Sequence, residues 1–569
     1  MIYVPKFFFM ENTSKIAIIG GGPAALLMLK HLLKMAILPE EIYIFEKNKR
    51  FGVGMPYSEF GATEEHIANV SANELPEMVN SFKEFYFEQY KENYNENKVL
   101  PRLLLGDYLE NQFEKYLQIA KQIGVKVIAR KNTPVLDIIK NDEIDKFEII
   151  TNPENDLFVD KVIISTGHVW PKTYEDKVKG WYDSPYPPNK FKEKTNCVVA
   201  IRGTSLTAID AVKTIARLNG KFVKETNGDV KYIVNKDSEK FKIHLFSTSG
   251  FLPALRFHTE DETFSSKWIM SLQEIYDIKQ KNDGFVPLDT VFEYSFKRPL
   301  RAKDPKFYEE IKDLTIKEFV DKMLEIRKEV DSFDLFEAEY KEAQKSIKNK
   351  ESITWKETIY AFSYAMNYPA KHFSAEDMLR LQKTLMPLIS VIIAALPQSS
   401  YHEIMALYNA DLIDLIQVDK NSTVEPDGDS GIIYSYKSVD GKNINAHYDF
   451  FIDAIGQKKM NWTDFPFDGL RNLKLTSPGF LDFKDEKIGK KMLDEQKEKV
   501  VEGFNNNYYL EVSGLGINDY FQSINIYKET IPSIYIMTVP FIGGLNPDYS
   551  GLDFCDTAGE RIAEEIVGG

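Results

Sequence analysis

The chain has 569 residues, enough at roughly 100 to 200 residues per domain for two to four domains with full-sized cores. Hydrophobic residues at 43% and charged residues at 28% exclude collagen-like, low-complexity and wholly disordered classes. A net charge of −15 opposes non-specific attraction to phosphate backbones or anionic lipid, so neither nucleic acid nor a membrane is an expected partner.

Met1–Met10 is apolar but too short for a secretory h-region with a cleavage site, and it is read as an uninformative tail. From Lys15 the pattern is a buried strand (KIAII), then GGGPAA, then an apolar-periodic helix from Leu26 to about Met35, then a second strand (IYIFE). That is a βαβ unit. Gly20, Gly22 and Ala25 form G-x-G-x-x-A at its turn: Gly20 allows the tight bend, Gly22 the close approach of backbone to a pyrophosphate, and Ala25 close helix packing. With Pro23 and Ala24 they open the helix whose N-terminus faces the phosphates. Glu46 ends the next strand, where an acidic group hydrogen-bonds an adenosine ribose, with Lys47 beside it.

A second start lies at Cys197–Ile201 (CVVAI), followed by RGTSLTAIDAVKTIARL. Each start is followed by a strand that ends in Gly seven positions after an Asp: Asp160 to Gly167 (DKVIISTG) and Asp449 to Gly456 (DFFIDAIG). The chain therefore contains two nested half-repeats. Gly20 and Gly167 are 147 residues apart, Gly203 and Gly456 253, so the second copy carries an insertion. Residues 304–416 supply it, with helical spacing in FYEEIKDL, IKEFVDKMLEIRKEV and FEAEYKEAQKSIKN and a charge alternation expected of a solvated face. Tyr360, Tyr364 and Tyr368 are read as core, one face over a substrate cavity being the alternative. Leu385–Leu396 contains Pro387 and falls short of the roughly 20 residues needed to span a bilayer.

The fold expected is α/β: two nested, discontinuous Rossmann-like dinucleotide-binding domains with a helical insertion. Residues 14–196 and 457–569 form the first, 197–303 and 417–456 the NAD(P)-binding-like second, and 304–416 the insertion. Cys197 and Cys555 are the only cysteines, far apart, which supports no disulfide framework and points to the cytoplasm. No H-E-x-x-H, EF-hand, Walker or Ser-His-Asp pattern occurs, so no metal site is expected and hydrolase or kinase chemistry lacks a motif.

FEKNKRFGVGMPYS, HIANV, RLLLGDYL, ISTGH, GTSLTAIDAV and SGFLP, in that order, resemble the bacterial FAD/NAD(P)-binding family that includes the HpyO-type FAD-dependent urate hydroxylases. More distantly, the chain is similar to the lysine and ornithine N-monooxygenases. The resemblance covers residues 14–260 and 445–569. It implies that Phe51–Tyr57, with Gly54 and Tyr57, and His66 and Asn69 line an FAD cavity; from residue type alone, Gly52 and Gly54 make a turn and His66 is more often a satisfied core or surface histidine. By the same resemblance Arg102 touches the phosphates or the adenosine end, and Thr166, Gly167 and His168 end the strand beside the dinucleotide; a surface ion pair at Arg102 and a loop histidine capping nearby backbone at His168 are the other readings.

In the second copy Gly203 and Ala208 match the fingerprint, with Leu206 at the start of the helix counted among the binding residues, but Ser205 stands where its second glycine belongs. Nicotinamide binding and a purely structural second domain both stay open. HLFSTSGFLP places no Arg before its turn, so a 2′-phosphate lacks its guanidinium unless Arg256 substitutes, and NADH is preferred to NADPH. Near the C-terminus Gly543, Gly544 and Gly551 precede a helix from about Asp553, whose first amides, with Gly551 and Leu552, face the flavin. Cys555 in its first turn has a thiol whose pKa the helix could lower, a buried small residue being the other reading.

The function expected is an FAD-dependent oxidoreductase, a monooxygenase that hydroxylates a small molecule with NAD(P)H and oxygen, with no dedicated catalytic side chain assigned. The rivals are an FAD oxidase or reductase without oxygen insertion, and a non-catalytic FAD-binding protein acting through its helical insertion.

Overall fold

Ile16–Ile19 are buried on both faces, as a strand is only inside a parallel sheet covered by helices. In this computed structural model, which describes residues 12–152, 157–226, 228–260, 266–503, 506–548 and 551–568, that run is the core of β1 (Asn12–Ile19). The tail Met1–Met10 lies outside the described residues. β1 turns through three glycines into α1 (Pro23–Leu32), and proline fits that first helical position because its missing N–H has no partner to lose. Then come β2 (Pro39–Phe45), α2 (Arg102–Ile123), β3 (Lys126–Arg130) and β4 (Lys161–Ile164). The second start follows as β5 (Trp181–Tyr182), β6 (Val198–Arg202), α3 (Leu206–Asn219) and β7 (Lys242–Ser247). Among the helices after it are α4 (Ile316–Lys328), α5 (Ser332–Asn349), α6 (Thr354–Ala365) and α7 (Gln398–Asn409). The chain closes with β8 (Ile413–Gln417), β9 (Phe450–Asp453), β10 (Gln522–Ile524), β11 (Thr530–Ile536) and α8 (Leu552–Gly568).

Two compact units result. The first comprises Met1–Ser58, Val70–Val169 and Lys459–Gly569. Its six-stranded sheet has the order β10-β11-β4-β1-β2-β3 and is parallel except between β10 and β11. Ile19 is in register with Phe45 on one side and Ile164 on the other. α8 lies on α1 at Gly559, where an added Cβ would sit 3.3 Å from the Leu27 carbonyl. Lys30 and His31 of α1 both reach Asp556 at 2.7 Å. Burial alone would raise the Asp556 pKa, but these two hydrogen bonds outweigh it and hold the carboxylate below its usual range.

The second unit comprises Glu59–Asn69 and Trp170–Lys458. Its sheet, β5-β9-β6-β7-β8, is parallel throughout. The fold is thus α/β with two Rossmann-like parallel sheets and a helical region, as the half-repeats predict. Two edges of the expected domain division differ from the elements. β5 falls within residues 14–196 yet pairs with β9 in the second unit's sheet, and β8 overlaps the end of 304–416 yet is that sheet's edge strand. Helices begin at Leu272, well before residue 304.

The helical region is not an appendage. Phe333, Phe336, Tyr340 and Ala343 of α5 and Tyr401, Ile404 and Leu407 of α7 share one core with Val199 and Ile201 of β6 and Ile209, Val212 and Ile215 of α3. Tyr364 and Tyr368 are buried, Tyr360 meets Phe257 edge-on, and the core reading of these tyrosines holds. The charge alternation is not all solvated. Glu339 of α5 is buried and takes Arg327 of α4 at 2.7 Å and Lys356 of α6 at 3.1 Å, which ties three helices at one carboxylate. Burial would raise the Glu339 pKa, but the two cations and their hydrogen bonds prevail and hold it below the usual range.

Candidate dinucleotide site

The first unit builds its site on the carboxyl ends of β1, β2 and β4. Gly20 has φ +106°, and a Cβ there would lie 2.4 Å from the Ser165 carbonyl oxygen, so the turn admits only glycine. Gly22 has an ordinary φ of −81°; its glycine is required by space, because a Cβ would come within 3.2 Å of the Gly54 Cα. α1 starts at Gly22 with no side-chain cap and no acidic residue in its first turn, which leaves its first amides and positive dipole end to an anionic ligand. Gly21 donates to Glu46 Oε2 at 2.9 Å and Asn48 to Oε1 at 2.8 Å. Glu46 is thereby fixed at the end of β2, and each oxygen keeps a lone pair for a further donor such as a ribose hydroxyl. Lys47 points into solvent.

Phe51–Tyr57 is clamped from three sides. Gly52 donates to the Gly21 carbonyl at 2.7 Å, Gly54 (φ +58°) presses on Pro23, and Gly106 of α2 rests on the Tyr57 carbonyl, where a Cβ would be only 2.0 Å away. Phe51 stacks on Phe113 of α2 with ring centroids 4.7 Å apart. The loop is therefore rigid, with α1 and α2 as its walls. Tyr57 and Cys555 keep some accessible surface while walled in by protein, the situation of groups lining a cleft. Burial pushes both pKa values up to about 12, opposed at Tyr57 by the Arg102 charge and aided at Cys555 by Asp553 and Asp556. Of the two readings of Cys555, the small residue walled in by protein is the one that accords with this: desolvation and two nearby carboxylates outweigh the helix N-terminus, and the thiol stays protonated. Tyr57, Arg102, Asp553 and Cys555 are thus neighbours in one unit. Gly551 has φ +116° and leads into α8, where Leu552 is buried and Asp553 exposed. At the end of β4, Thr166 bonds Thr538 at 2.8 Å, and Gly167 (φ +73°) has open space where a Cβ would point. His168 follows, partly exposed.

Two residues assigned to this cavity belong to the second compact unit. His66 belongs to the second unit and is buried against α3. Its Nδ1 accepts from the Thr63 amide at 2.9 Å, which places the ring proton on Nε2, facing the Asp210 carbonyl at 3.3 Å. It is a satisfied core histidine. Asn69 is in the same unit, its side chain exposed and its carbonyl taken by the Arg256 guanidinium. The Arg256 guanidinium is thereby engaged by a backbone carbonyl.

The second unit repeats the turn. Gly203 has φ +120°, and a Cβ there would lie 2.5 Å from the Ala454 carbonyl, the counterpart of Ser165. Ser205 has φ −79° and ψ −172°, against −81° and −163° for Gly22, and is exposed at the uncapped start of α3, just before Leu206. Ser205 therefore needs no left-handed backbone. At the end of β7, Ser247 accepts from the Ser249 and Gly250 amides, and Thr204 reaches Ser247 at 3.4 Å. No sequence signal distinguishes Arg202 and Asp453, which pair across β6 and β9 at 3.0 and 2.5 Å. Among the described residues no cluster of three or more His, Cys, Asp or Glu is placed to hold a metal, and no helix is long and apolar enough to cross a membrane.

Residues 17–169 match a family model described as FAD-NAD(P)-binding, and residues 271–393 match the YdhS-like middle domain. The chain is 28% identical over 474 residues to the uncharacterized protein YdhS of Escherichia coli (strain K12), covering 80% of this chain and 86% of that protein. Among solved structures it resembles ornithine hydroxylase (PvdA) from Pseudomonas aeruginosa, at 10% identity and a TM-score of 0.47, covering 98% of this chain and 99% of that one. It also resembles bacillithiol disulfide reductase Bdr (YpdA) from Bacillus cereus, at 12% identity and a TM-score of 0.40, with coverage of 98% and 99%. The first half-repeat is thus of the FAD-NAD(P)-binding kind, and FAD with NAD(P)H is the cofactor set that accords with it.

Proposed function

We propose that the protein is an FAD-dependent monooxygenase that hydroxylates a small molecule with NAD(P)H and oxygen. The observation that carries the cofactor is the cradle of the first unit. Gly20, Gly22 and the clamped Gly54 bring backbone to the uncapped α1 N-terminus, and Glu46 stands ready at the next strand end. In this reading the amides after Gly22 hold the pyrophosphate and Glu46 accepts from a ribose hydroxyl. Tyr57, kept un-ionised by its surroundings, walls the ring system with the Phe51–Tyr57 loop, and Thr166 and Gly167 floor it. The α8 N-terminus would offset negative charge as the cofactor is reduced. Bound FAD supplies the redox chemistry, which is why no side chain needs to act as nucleophile or metal ligand. The Gly203–Leu206 turn, isosteric in backbone with Gly20–Pro23, is the place for the nicotinamide dinucleotide that would reduce it. Substrate selection falls to the second unit's helices and loops, following the resemblance to the urate hydroxylases and N-monooxygenases.

The test is spectroscopic and then kinetic. The purified protein should show flavin absorption bands that bleach on anaerobic addition of NADH or NADPH. Oxygen uptake should then rise with substrate without equivalent peroxide release. Peroxide equal to oxygen consumed, whatever compound is supplied, would make it an oxidase; a colourless protein that takes up no FAD would remove the flavoenzyme reading altogether.

A further inference from the structure

In an open parallel sheet the ligand crevice opens at the carboxyl ends of the two strands where the strand order reverses. In the second unit those strands are β6 and β9, because the chain runs from β6 outward through β7 to β8 and returns on the other side as β9. In the first unit they are β1 and β4. The residues in register across the two reversal points are Ile19 with Ile164 and Arg202 with Asp453. Each pair directly abuts a glycine that faces the neighbouring strand's next carbonyl, so the two positions are structural counterparts. The first unit fills the spot with two buried aliphatic side chains. The second fills it with a guanidinium bound bidentately to a carboxylate, and Lys458 joins Asp453 Oδ2 at 3.1 Å.

Stability does not call for this arrangement, since an aliphatic pair packs the same position in the first unit and buried ion pairs rarely improve on such packing. The exposure is asymmetric: the Asp453 side chain is 3% exposed, Arg202 31% and Lys458 37%. Arg202 spends Nε and Nη2 on Asp453, and its Nη1 has no partner among the described residues. Two cations thus share one sunken carboxylate. Asp183 also acts on Arg202 through its charge, while its oxygens bond the amides of Thr173, Tyr174 and Glu175 and the Trp181 indole rather than the guanidinium. Ile201 packs into the α3 side of the sheet, so Arg202 flanks the crevice from the face opposite α3, while the α3 N-terminus flanks it from the other.

We propose that Arg202, aimed by Asp453 and seconded by Lys458, is an oxyanion-binding group in the second unit's crevice. The anion is a phosphate of the nicotinamide dinucleotide or the carboxylate of a substrate. This rests on the reading of the second unit as a ligand domain of a flavoenzyme. Its test is equilibrium binding without turnover.

FAD-loaded wild type, Arg202→Gln and Lys458→Gln are titrated calorimetrically with inorganic pyrophosphate, NAD+, NADP+ and acetate at low and high salt. Arg202→Gln should weaken at least one anion by about tenfold and Lys458→Gln by less, and wild-type affinity for it should fall as salt rises. Parallel loss for pyrophosphate and the dinucleotides assigns the phosphate; loss confined to acetate assigns a substrate carboxylate. Unchanged affinity for every probe in both variants, with flavin content and circular dichroism intact, overturns the proposal, as does a wild type that binds none of them. If Arg202→Gln does not fold, the more exposed Lys458→Gln decides by the same criterion. A protein that takes up no flavin would fail the preceding section's reading, and the same three proteins are then titrated without flavin and judged by the same criterion.

Discussion

Gly106→Ala separates helix propensity from the clamp on the cofactor loop. Gly106 lies in the first turns of α2, where alanine would ordinarily stabilise a helix by about 1 kcal/mol. Here the new Cβ would sit 2.0 Å from the Tyr57 carbonyl oxygen, whereas ordinary contact begins at 3.4 Å, so backbone must move away from backbone by over an ångström. The loop cannot yield on its far side, because Gly52 is bonded to Gly21 and Gly54 lies against Pro23. Overpacking of this kind costs about 1–3 kcal/mol, which offsets the propensity gain and leaves a net loss of up to about 2 kcal/mol. Since the displaced loop forms the cofactor wall, about 1.4 kcal/mol of that loss in the bound state is a tenfold weaker hold on FAD. Flavin retained after dialysis, read by absorbance per protein, and the calorimetric Tm should both fall. Gly124→Ala, at the end of the same helix with φ +84° and nothing within 4 Å, is the control: it should lose about 1 kcal/mol of stability through backbone strain and no flavin. A Gly106→Ala protein as stable as wild type with full flavin would refute the clamp.

Gly22→Val should fold, since φ there is −81°, yet purify colourless, because the side chain fills the pyrophosphate approach; absorbance against circular dichroism checks both halves. Ser205→Gly should tighten NADH binding by about tenfold, because Ser205 already holds the backbone conformation of Gly22 and only its side chain occupies the pyrophosphate approach; an unchanged affinity in anaerobic titration would contradict that. Glu339→Gln should lose about 3–5 kcal/mol by leaving Arg327 and Lys356 buried without their carboxylate, measured by denaturant unfolding at pH 7. Because the Glu339 pKa is depressed, its contribution is full above the unfolded carboxylate value of about 4.3 and is lost as pH falls through the lower folded value; the Gln variant should lack that step. Excising the helices from Leu272 to Asn409 should unfold the second unit rather than leave it closed, because Phe333, Phe336 and Leu407 complete the core under α3; a soluble deletion protein with a cooperative second transition would show otherwise.

Local pattern alone determined both glycine turns, both strand-to-helix starts, the late strands ending at Gly167 and Gly456 and the terminal helix, because each depends on residues adjacent in sequence. Periodicity also identified the helices around residues 305–349. Tertiary structure decided the rest. His66 reads as a cavity ligand by its motif, but contacts with Thr63 and Asp210 make it a core group, and the latter is 144 residues away. Ser205 departs from the fingerprint, and only its φ shows that the departure lies in the space its side chain takes and not in backbone conformation. The Cys555 pKa follows from burial and two carboxylates, neither visible in a first-turn cysteine. The helical region reads as an insertion because it interrupts a repeat, yet its aromatic residues complete the core of the sheet it interrupts. Arg202 and Asp453 are 251 residues apart, and only strand register places them at one reversal point. Spacing along the chain encodes local conformation, whereas burial, charge pairing and strand order depend on which distant residues the fold brings together.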